Sequence, residues 1–328
     1  MILVVALNPA LDITHQVADA DWAGVNRPFA VSARAGGKGL NVARALHALG
    51  QDVTLAGLAG GPSGEALLAG LEGTGIETAL TPIVGDTRRT FAVVDTVRGR
   101  TALFNEPGPV ISGEEYRRFC VLYADRLAYA AAVVLSGSLP GGVPADAYAG
   151  LIAAAAAAGV PAVLDTSGIA LSLGAAAGPT LVKPNLAELA TAAGRSLGSD
   201  EQPDLAAVDQ AARSLTAGAS TAVVSLGAHG AVAAGPDGSW RGRPPAPVTG
   251  NPTGAGDALV AGLAAGIVLR RPWPDLLRHA VALGTAAAGA AVAGEVSMPE
   301  YERLVPQVRL DRLAPAAGSA RSREAEPV

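Results

Sequence analysis

Apolar and polar positions fall in blocks along this chain. Residues 1–7, 130–135, 160–165, 181–182 and 221–225 are short, nearly unbroken apolar runs ending in small or polar residues, the pattern of strands covered on both faces. Between them lie Ala- and Leu-rich stretches of helical length at 145–158, 258–269, 273–293 and 298–307. Residues 53–84 read as strand, helix near 64–72 and strand, and Ser112 with Glu115 forms a capping box that opens another helix without carrying chemistry. This alternation predicts an α/β fold with a doubly wound, mostly parallel sheet. Two segments break the rhythm. Residues 10–17 alternate as an extended strand, and 90–95 with 101–105 flank Arg98-Gly99-Arg100 as a hairpin. With the extended residues around Arg27 and Arg34 they predict a small sheet apart from the main one. Residues 1–310 are expected to form the folded domain, and 311–328, small, charged and Pro-containing, a disordered tail.

Composition narrows the function. Half of the 328 residues are apolar and 16% are charged, enough for a sizeable core. The longest apolar runs are interrupted by Gly or Pro and suit buried elements, so no membrane partner is expected. Residues 1–7 lack a basic flank and read as a first strand, not a signal peptide. Cys120 is the only cysteine, which excludes an intrachain disulfide and a thiolate zinc cluster and makes a reducing, cytoplasmic setting the expectation. A net charge of -5 without a basic block argues against nucleic acid as the main partner. Of the 24 basic residues only Lys38 and Lys183 are lysines. An Arg-biased composition explains their rarity, yet both stand in Gly- or Pro-marked turns where a compact point charge suits phosphate.

The chemistry concentrates at Asn251-Pro252-Thr253-Gly254-Ala255-Gly256-Asp257, directly before an apolar helix. A Gly-rich turn feeding a helix leaves backbone N–H groups aimed along the axis, a seat for an anion, with Asp257 beside it as a candidate base. The same stretch is also compatible with an ordinary helix start. Two rival phosphate motifs do not fit the chain: a Walker loop, since Lys38 is followed by Gly39, and a dinucleotide fingerprint, since Leu259 stands where a third Gly belongs. Asp12 follows the first strand, as a ligand group or as a turn cap after Pro9. Gly36 and Gly37 let backbone approach a polyol, and Lys38 and Asn41 lie one helical turn apart. Arg88 either reaches an anion or is solvated beside Arg89. Asn185 and Glu188 open a helix, as ligand groups or as N-cap and first-turn acid. The turn Ser225-Leu226-Gly227-Ala228-His229-Gly230 fits beneath a nucleotide base or within a plain hairpin.

Taken together, Gly36-Gly37-Lys38-Gly39 with Asn41, Lys183-Pro184-Asn185 with Glu188, and Gly254-Ala255-Gly256-Asp257 resemble the phosphofructokinase-B, or ribokinase-like, family of carbohydrate kinases over residues 1 to about 307. Leu7-Asn8-Pro9-Ala10-Leu11-Asp12, Thr87-Arg88, Asn105-Glu106 and Ser136-Gly137-Ser138-Leu139-Pro140 are most similar to 1-phosphofructokinases and tagatose-6-phosphate kinases. The resemblance implies ATP-dependent phosphorylation of a ketohexose monophosphate, fructose 1-phosphate favoured. Tagatose 6-phosphate, fructose 6-phosphate, or an unphosphorylated sugar or nucleoside are the alternatives. It implies Asp257 as base and Gly254, Ala255 and Gly256 as anion hole. Asp12, Gly36, Gly37, Lys38, Asn41, Asn105 and Ser138 would hold the sugar, and Arg88 and Arg27 its phosphate. Lys183 and Asn185 would face the ATP phosphates, Glu188 would hold Mg2+ through water, and Ser225, Leu226, Gly227, Ala228, His229 and Gly230 would border the adenosine. Segments 11–34 and 88–106 would form a lid, which in relatives often pairs into a homodimer. Asn251-Pro252-Thr253 departs from the family's usual residues before Gly-Ala-Gly-Asp and affects the nucleotide contacts. A non-catalytic sugar or nucleotide sensor would keep this fold; the joint presence of Asp257, Lys183 and Glu188 favours the enzyme.

Overall fold

A computed structural model of the protein describes residues 1–246, 253–290 and 294–313. In chain order its strands begin with β1 (Ile2–Ala6), β2 (Ala10–Val17), β3 (Ala30–Gly36), β4 (Val53–Ala59), β5 (Glu77–Pro82), β6 (Arg89–Asp95) and β7 (Arg100–Asn105). They continue with β8 (Ala132–Ser136), β9 (Ala162–Asp165), β10 (Leu181–Val182), β11 (Thr221–Ser225), β12 (Ala231–Gly235), β13 (Gly238–Arg243) and β14 (Arg309–Leu313).

Ten of these strands form the main sheet in the spatial order β14-β13-β12-β11-β10-β9-β8-β1-β4-β5. Every pair from β11 to β5 is parallel, and the three pairs toward β14 are antiparallel. Along β1, Ile2, Val4 and Ala6 enter one core while Leu3 and Val5, followed by Leu7, enter the other. The strand is unbrokenly apolar because both faces are covered. One face carries the helices Lys38–Ala48, Ala255–Val268 and Trp273–Ala288. The other carries Gly113–Leu127, Ala147–Ala157, Ile169–Ala176 and Leu205–Leu215. The Ala255–Val268 helix is apolar nearly all round because it is buried nearly all round. Its glycines set the spacing: a β-carbon at Gly262 or Gly266 would come within 2.7 Å of Ala280 Cα or Leu276 Cγ on the next helix.

The small sheet has the order β3-β2-β6-β7, with β2 and β6 parallel and the other pairs antiparallel. It joins the main body through residues 7–9, residue 37, residues 83–88 and residues 106–112. These connections lie beside the carboxyl ends of β1 and β8, where open α/β sheets place their ligands.

Two expected boundaries move. The helix expected over 273–293 ends at Ala288, and residues 291–293 lie outside the described residues. The first three residues of the tail expected over 311–328 are in a strand: β14 pairs with β13 from Ser239↔Leu313 to Arg243↔Arg309, and Arg243 Nη2 meets Asp311 Oδ2 at 2.7 Å. Asp311, Arg312 and Leu313 therefore belong to the sheet, and residues 314–328 lie outside the described residues. No helix among the described residues is long and apolar enough to cross a membrane.

Candidate active site

The carboxyl ends of β8, β9, β10 and β11 converge with the starts of the Lys38–Ala48, Leu186–Ala193 and Ala255–Val268 helices. Gly254, at φ 88, caps the last of these in the left-handed region that favours glycine, and its carbonyl accepts from Ala258 N–H at 2.9 Å. The N–H groups of Ala255, Gly256 and Asp257 thus stand ahead of the first helical bond, the arrangement that holds an anion.

Asp257, in the first turn, is 7% exposed, and its Oδ2 accepts from Asn41 Nδ2 at 2.9 Å. Burial, then the charge of Asp165, push this carboxyl up to about 6, against the Asn41 bond and the cations Lys38 and Lys183. A carboxylate tuned there is poised to take a proton near neutral pH.

Asp165, at the end of β9, is fully buried. Its Oδ1 has no hydrogen-bond partner but lies 3.1 Å from Lys183 Nζ and 3.6 Å from Lys38 Nζ, while Oδ2 accepts from Ser136 Oγ at 3.4 Å. The only two lysines of the chain therefore meet on one oxygen. Lys183 is 3% exposed, and a β-carbon on Gly256 would stand 3.8 Å from its Nζ. A buried ammonium against the positive end of a helix is unfavourable by itself and becomes favourable with an anion between them. Asp165 first, then Glu188 and Asp257, raise the Lys38 ammonium far above its ordinary value, so it stays cationic.

Glu188 does two things at once. Its Oε2 accepts from Asn185 N–H at 2.9 Å and Asn185 Oδ1 accepts from Glu188 N–H at 2.8 Å, a capping box. Its Oε1 faces Lys38 Nζ at 3.6 Å. The capping reading of the Asn185/Glu188 pair is therefore seen directly, and it uses only one oxygen of the Glu188 carboxylate. Ser225 N–H donates to Pro184 O at 3.1 Å, which sets the 225–230 turn beside Lys183 and Asn185. That turn is a 3-10 turn, Gly227–His229, between antiparallel strands; Leu226 is buried, and Gly227 and Ala228 are exposed. Gly230 (φ 84) has no room for a β-carbon, which would stand 2.0 Å from Gly242 O.

On the small-sheet side, Asp12 Oδ1 accepts a short bond from Thr90 Oγ1, and its Oδ2 lies so close over Gly36 that a β-carbon there would overlap it. Gly37, at φ 92, starts the helix that carries Lys38 and Asn41. Arg88 is half-buried, its Nε donating to Asn8 O at 3.1 Å and its Nη1 to Glu106 O at 3.3 Å. Burial lowers its guanidinium pKa and Asp12 opposes that. Ser138 Oγ accepts from Asn8 Nδ2 at 3.1 Å, and Asn105 pairs with Thr90 across β7 and β6. Arg27 is exposed in the β2–β3 connection and touches none of these groups, and Arg34 pairs with Glu295 at 3.4 Å. Asn251 and Pro252 lie outside the described residues.

Sequence reasoning missed Asp165 and Thr90. The signal for Asp165 was present: an acid closing a buried strand, the same cue that singled out Asp12. Lys38, expected at the sugar, makes its ion pairs with Asp165 and Glu188, on the Lys183 side of the cleft.

Comparison with known proteins bears on the family and the fold. The family model for pfkB family carbohydrate kinases matches residues 5–300. Phosphofructokinase-2 from Escherichia coli in complex with fructose-6-phosphate is 30% identical, with 93% of this chain and 98% of that chain covered, at a TM-score of 0.82. The tetrameric inhibited form of the same enzyme superposes at 0.83 with the same identity and coverage. A possible 1-phosphofructokinase from Thermotoga maritima is 25% identical over 96% of this chain and 100% of that chain, at 0.85. A match running from β1 into the Met298–Leu304 helix, on a doubly wound sheet with a separate small one, makes this chain a member of the pfkB family of carbohydrate kinases.

Proposed function

We propose that this carbohydrate kinase transfers the γ-phosphoryl group of ATP to a hydroxyl of a ketohexose monophosphate, with fructose 1-phosphate and fructose 6-phosphate as the two acceptors to compare. The observation that carries the reading is Arg88. Two of its five N–H groups are bound to the carbonyls of Asn8 and Glu106, so the remaining three are held in a fixed plane next to Asp12. Such a fork suits a phosphate already on the acceptor.

In the proposed reaction Asp257 takes the proton of the attacking hydroxyl, which Asp12, Gly36, Gly37 and Asn41 orient, while Asn105 and Ser138 border the acceptor. The N–H groups at Gly254, Ala255 and Gly256, with Lys183 and Lys38, stabilise charge on the phosphoryl oxygens. Asn185 and the turn from Ser225 to Gly230 border the nucleotide. Glu188 fits Mg2+: it keeps Oε1 outside its cap, and Mg2+ is commonly held by one or two carboxylates plus substrate phosphates, with waters between. When bound there it would neutralise phosphate charge. The small sheet serves as a lid, and its exposed Val31 and Leu103, with Trp22 and Phe29 in the β2–β3 connection, support pairing with a second copy into a homodimer. Cys120 as sole cysteine supports a cytoplasmic setting.

The test is kcat/KM for each sugar phosphate over that for fructose, in wild type and Arg88→Ala. A charge-assisted contact contributes on the order of 1.5–3 kcal/mol, so the ratio should fall about ten- to a hundredfold. A wild type that prefers fructose, or an unchanged ratio, refutes the reading.

A further inference from the structure

Asn8 leaves β1 at the carboxyl edge of the sheet and is 7% exposed, yet the proposed transfer uses none of its atoms. Its Nδ2 donates to Pro107 O at 3.0 Å and to Ser138 Oγ at 3.1 Å, which commits both amide N–H groups. Pro107 O can only accept, so the orientation of the amide is fixed by its partner. On the other side Asn8 Oδ1 packs against Gly108, where a β-carbon would stand 2.3 Å away and where φ is +100°; both facts require glycine there. The backbone of Asn8 accepts from Arg88 Nε, and Arg88 Nη1 donates to Glu106 O, the carbonyl immediately before Pro107.

One buried amide thus fastens three connections: the β1–β2 link, the exit from β7 at residues 106–108, and the exit from β8 at Ser138. The guanidinium of Arg88 hangs between two carbonyls, one on Asn8 itself and one on the segment that the Asn8 side chain holds. If residues 106–107 shift, the Glu106 carbonyl shifts with them and the free edge of the guanidinium turns. Ser138, which would border the same acceptor, is tied to the same nitrogen.

We infer that Asn8 is a positioning residue for acceptor specificity: it presets Arg88 and Ser138 against each other so that a sugar phosphate meets both in register. The inference rests on the proposed reading of Arg88 as the contact for the acceptor's phosphate. Asn8 acts through these partners and does not touch substrate. An aspartate at this position would offer no donor and would set a negative charge against Pro107 O, whereas serine would keep one donor.

The experiment measures kcat and KM of the purified full chain for fructose 1-phosphate, fructose 6-phosphate and fructose, with KM for ATP alongside. The variants are Asn8→Ala, Asn8→Asp, Asn8→Ser, Arg88→Ala and the Asn8→Ala/Arg88→Ala pair. Asn8→Ala should lower the ratio of kcat/KM for the preferred sugar phosphate over fructose by about five- to thirtyfold, chiefly through KM, as expected for a contact displaced by a fraction of an ångström. Asn8→Asp should be at least as low and Asn8→Ser intermediate. In the Arg88→Ala background the Asn8 change should alter the ratio less than twofold, because its route to the phosphate is already gone. KM for ATP should stay within about twofold. An unchanged ratio in Arg88→Ala overturns the proposed function. A lowered ratio in Arg88→Ala with an unchanged one in Asn8→Ala, or full additivity in the double variant, overturns the role of Asn8 alone. Should Asn8→Ala fail to fold, Asn8→Ser reads the same ratio: a twofold or greater fall supports the inference and no fall overturns it.

Discussion

Replacing Asp257 with Asn should make the protein more stable and nearly inactive at the same time. The change is almost isosteric, and the new amide oxygen still accepts from Asn41 Nδ2. It removes only the negative charge, whose folded-state pKa is raised from 3.8 to about 6. A carboxyl raised in this way binds more protons folded than unfolded between those two values, so its contribution to stability is whole below about pH 4 and is lost as pH rises through about 6. Two pKa units correspond to about 3 kcal/mol. The neutral variant avoids that loss, so it should gain up to about 3 kcal/mol at pH 8, about half that at pH 5 and little at pH 4. With an unfolding entropy near 2.1 cal/mol/K per residue, this is roughly a 4 °C rise in Tm at pH 8. Loss of a positioned general base should lower kcat by about two to four orders of magnitude. Thermal unfolding at the three pH values and steady-state turnover on the preferred sugar test both halves. A Tm difference that does not depend on pH would show that the carboxyl is not destabilised by burial, and a variant keeping more than a tenth of wild-type kcat would show that Asp257 is not the base.

In wild type, kcat/KM should rise with unit slope on a log scale as pH increases to about 6 and then level, because the proposed base Asp257, raised to about 6, can take a proton only when ionised; a profile flat from pH 5 to 8 contradicts this. Glu188→Gln keeps an oxygen for the Asn185 cap but removes the charge facing Lys38, so the Mg2+ concentration for half-maximal activity should increase severalfold with little change in KM for the sugar; an unchanged Mg2+ dependence argues against the role. Gly36→Ala places a β-carbon in the space of Asp12 Oδ2, so KM for the acceptor should rise at least tenfold while KM for ATP stays within about twofold; an equal rise in both would mean that the substitution disturbs the whole site.

The strands of the sheet were legible where both faces are buried, as in β1 and β8, because a continuous apolar run admits few other readings. The Gly238–Arg243 strand was not: its sequence Gly-Ser-Trp-Arg-Gly-Arg has one large apolar residue, and its pairing with β12 and β14 supplies what local pattern lacks. The Ile169–Ala176 helix is built of small and apolar residues with little periodic contrast, so it too becomes visible only in place. At the site, turn chemistry pointed to Gly36, Gly37, Lys38 and Asp257, since positive φ and close approach leave a mark in sequence. Partners did not. Nothing local joins Asn41 to Asp257, 216 positions apart, or Lys38 to Asp165, because those contacts are made by the sheet topology.

The same topology brings the chain's two lysines together. Lys38 and Lys183 come from turns far apart in sequence and end on one oxygen of a carboxylate that is fully buried. An ammonium is a point charge with three rotatable donors, so in the proposed transfer it can shift from Asp165 toward a phosphoryl oxygen without turning a plane. A guanidinium in either place would have to reorient its fork inside a packed cleft. Arg88 has the opposite task. In the proposed reading it presents one fixed edge to a phosphate that does not react, and two backbone carbonyls hold that edge still. Under the proposed transfer, this division of residue types supplies movable point charges at the reacting group and a clamped fork at the spectator group.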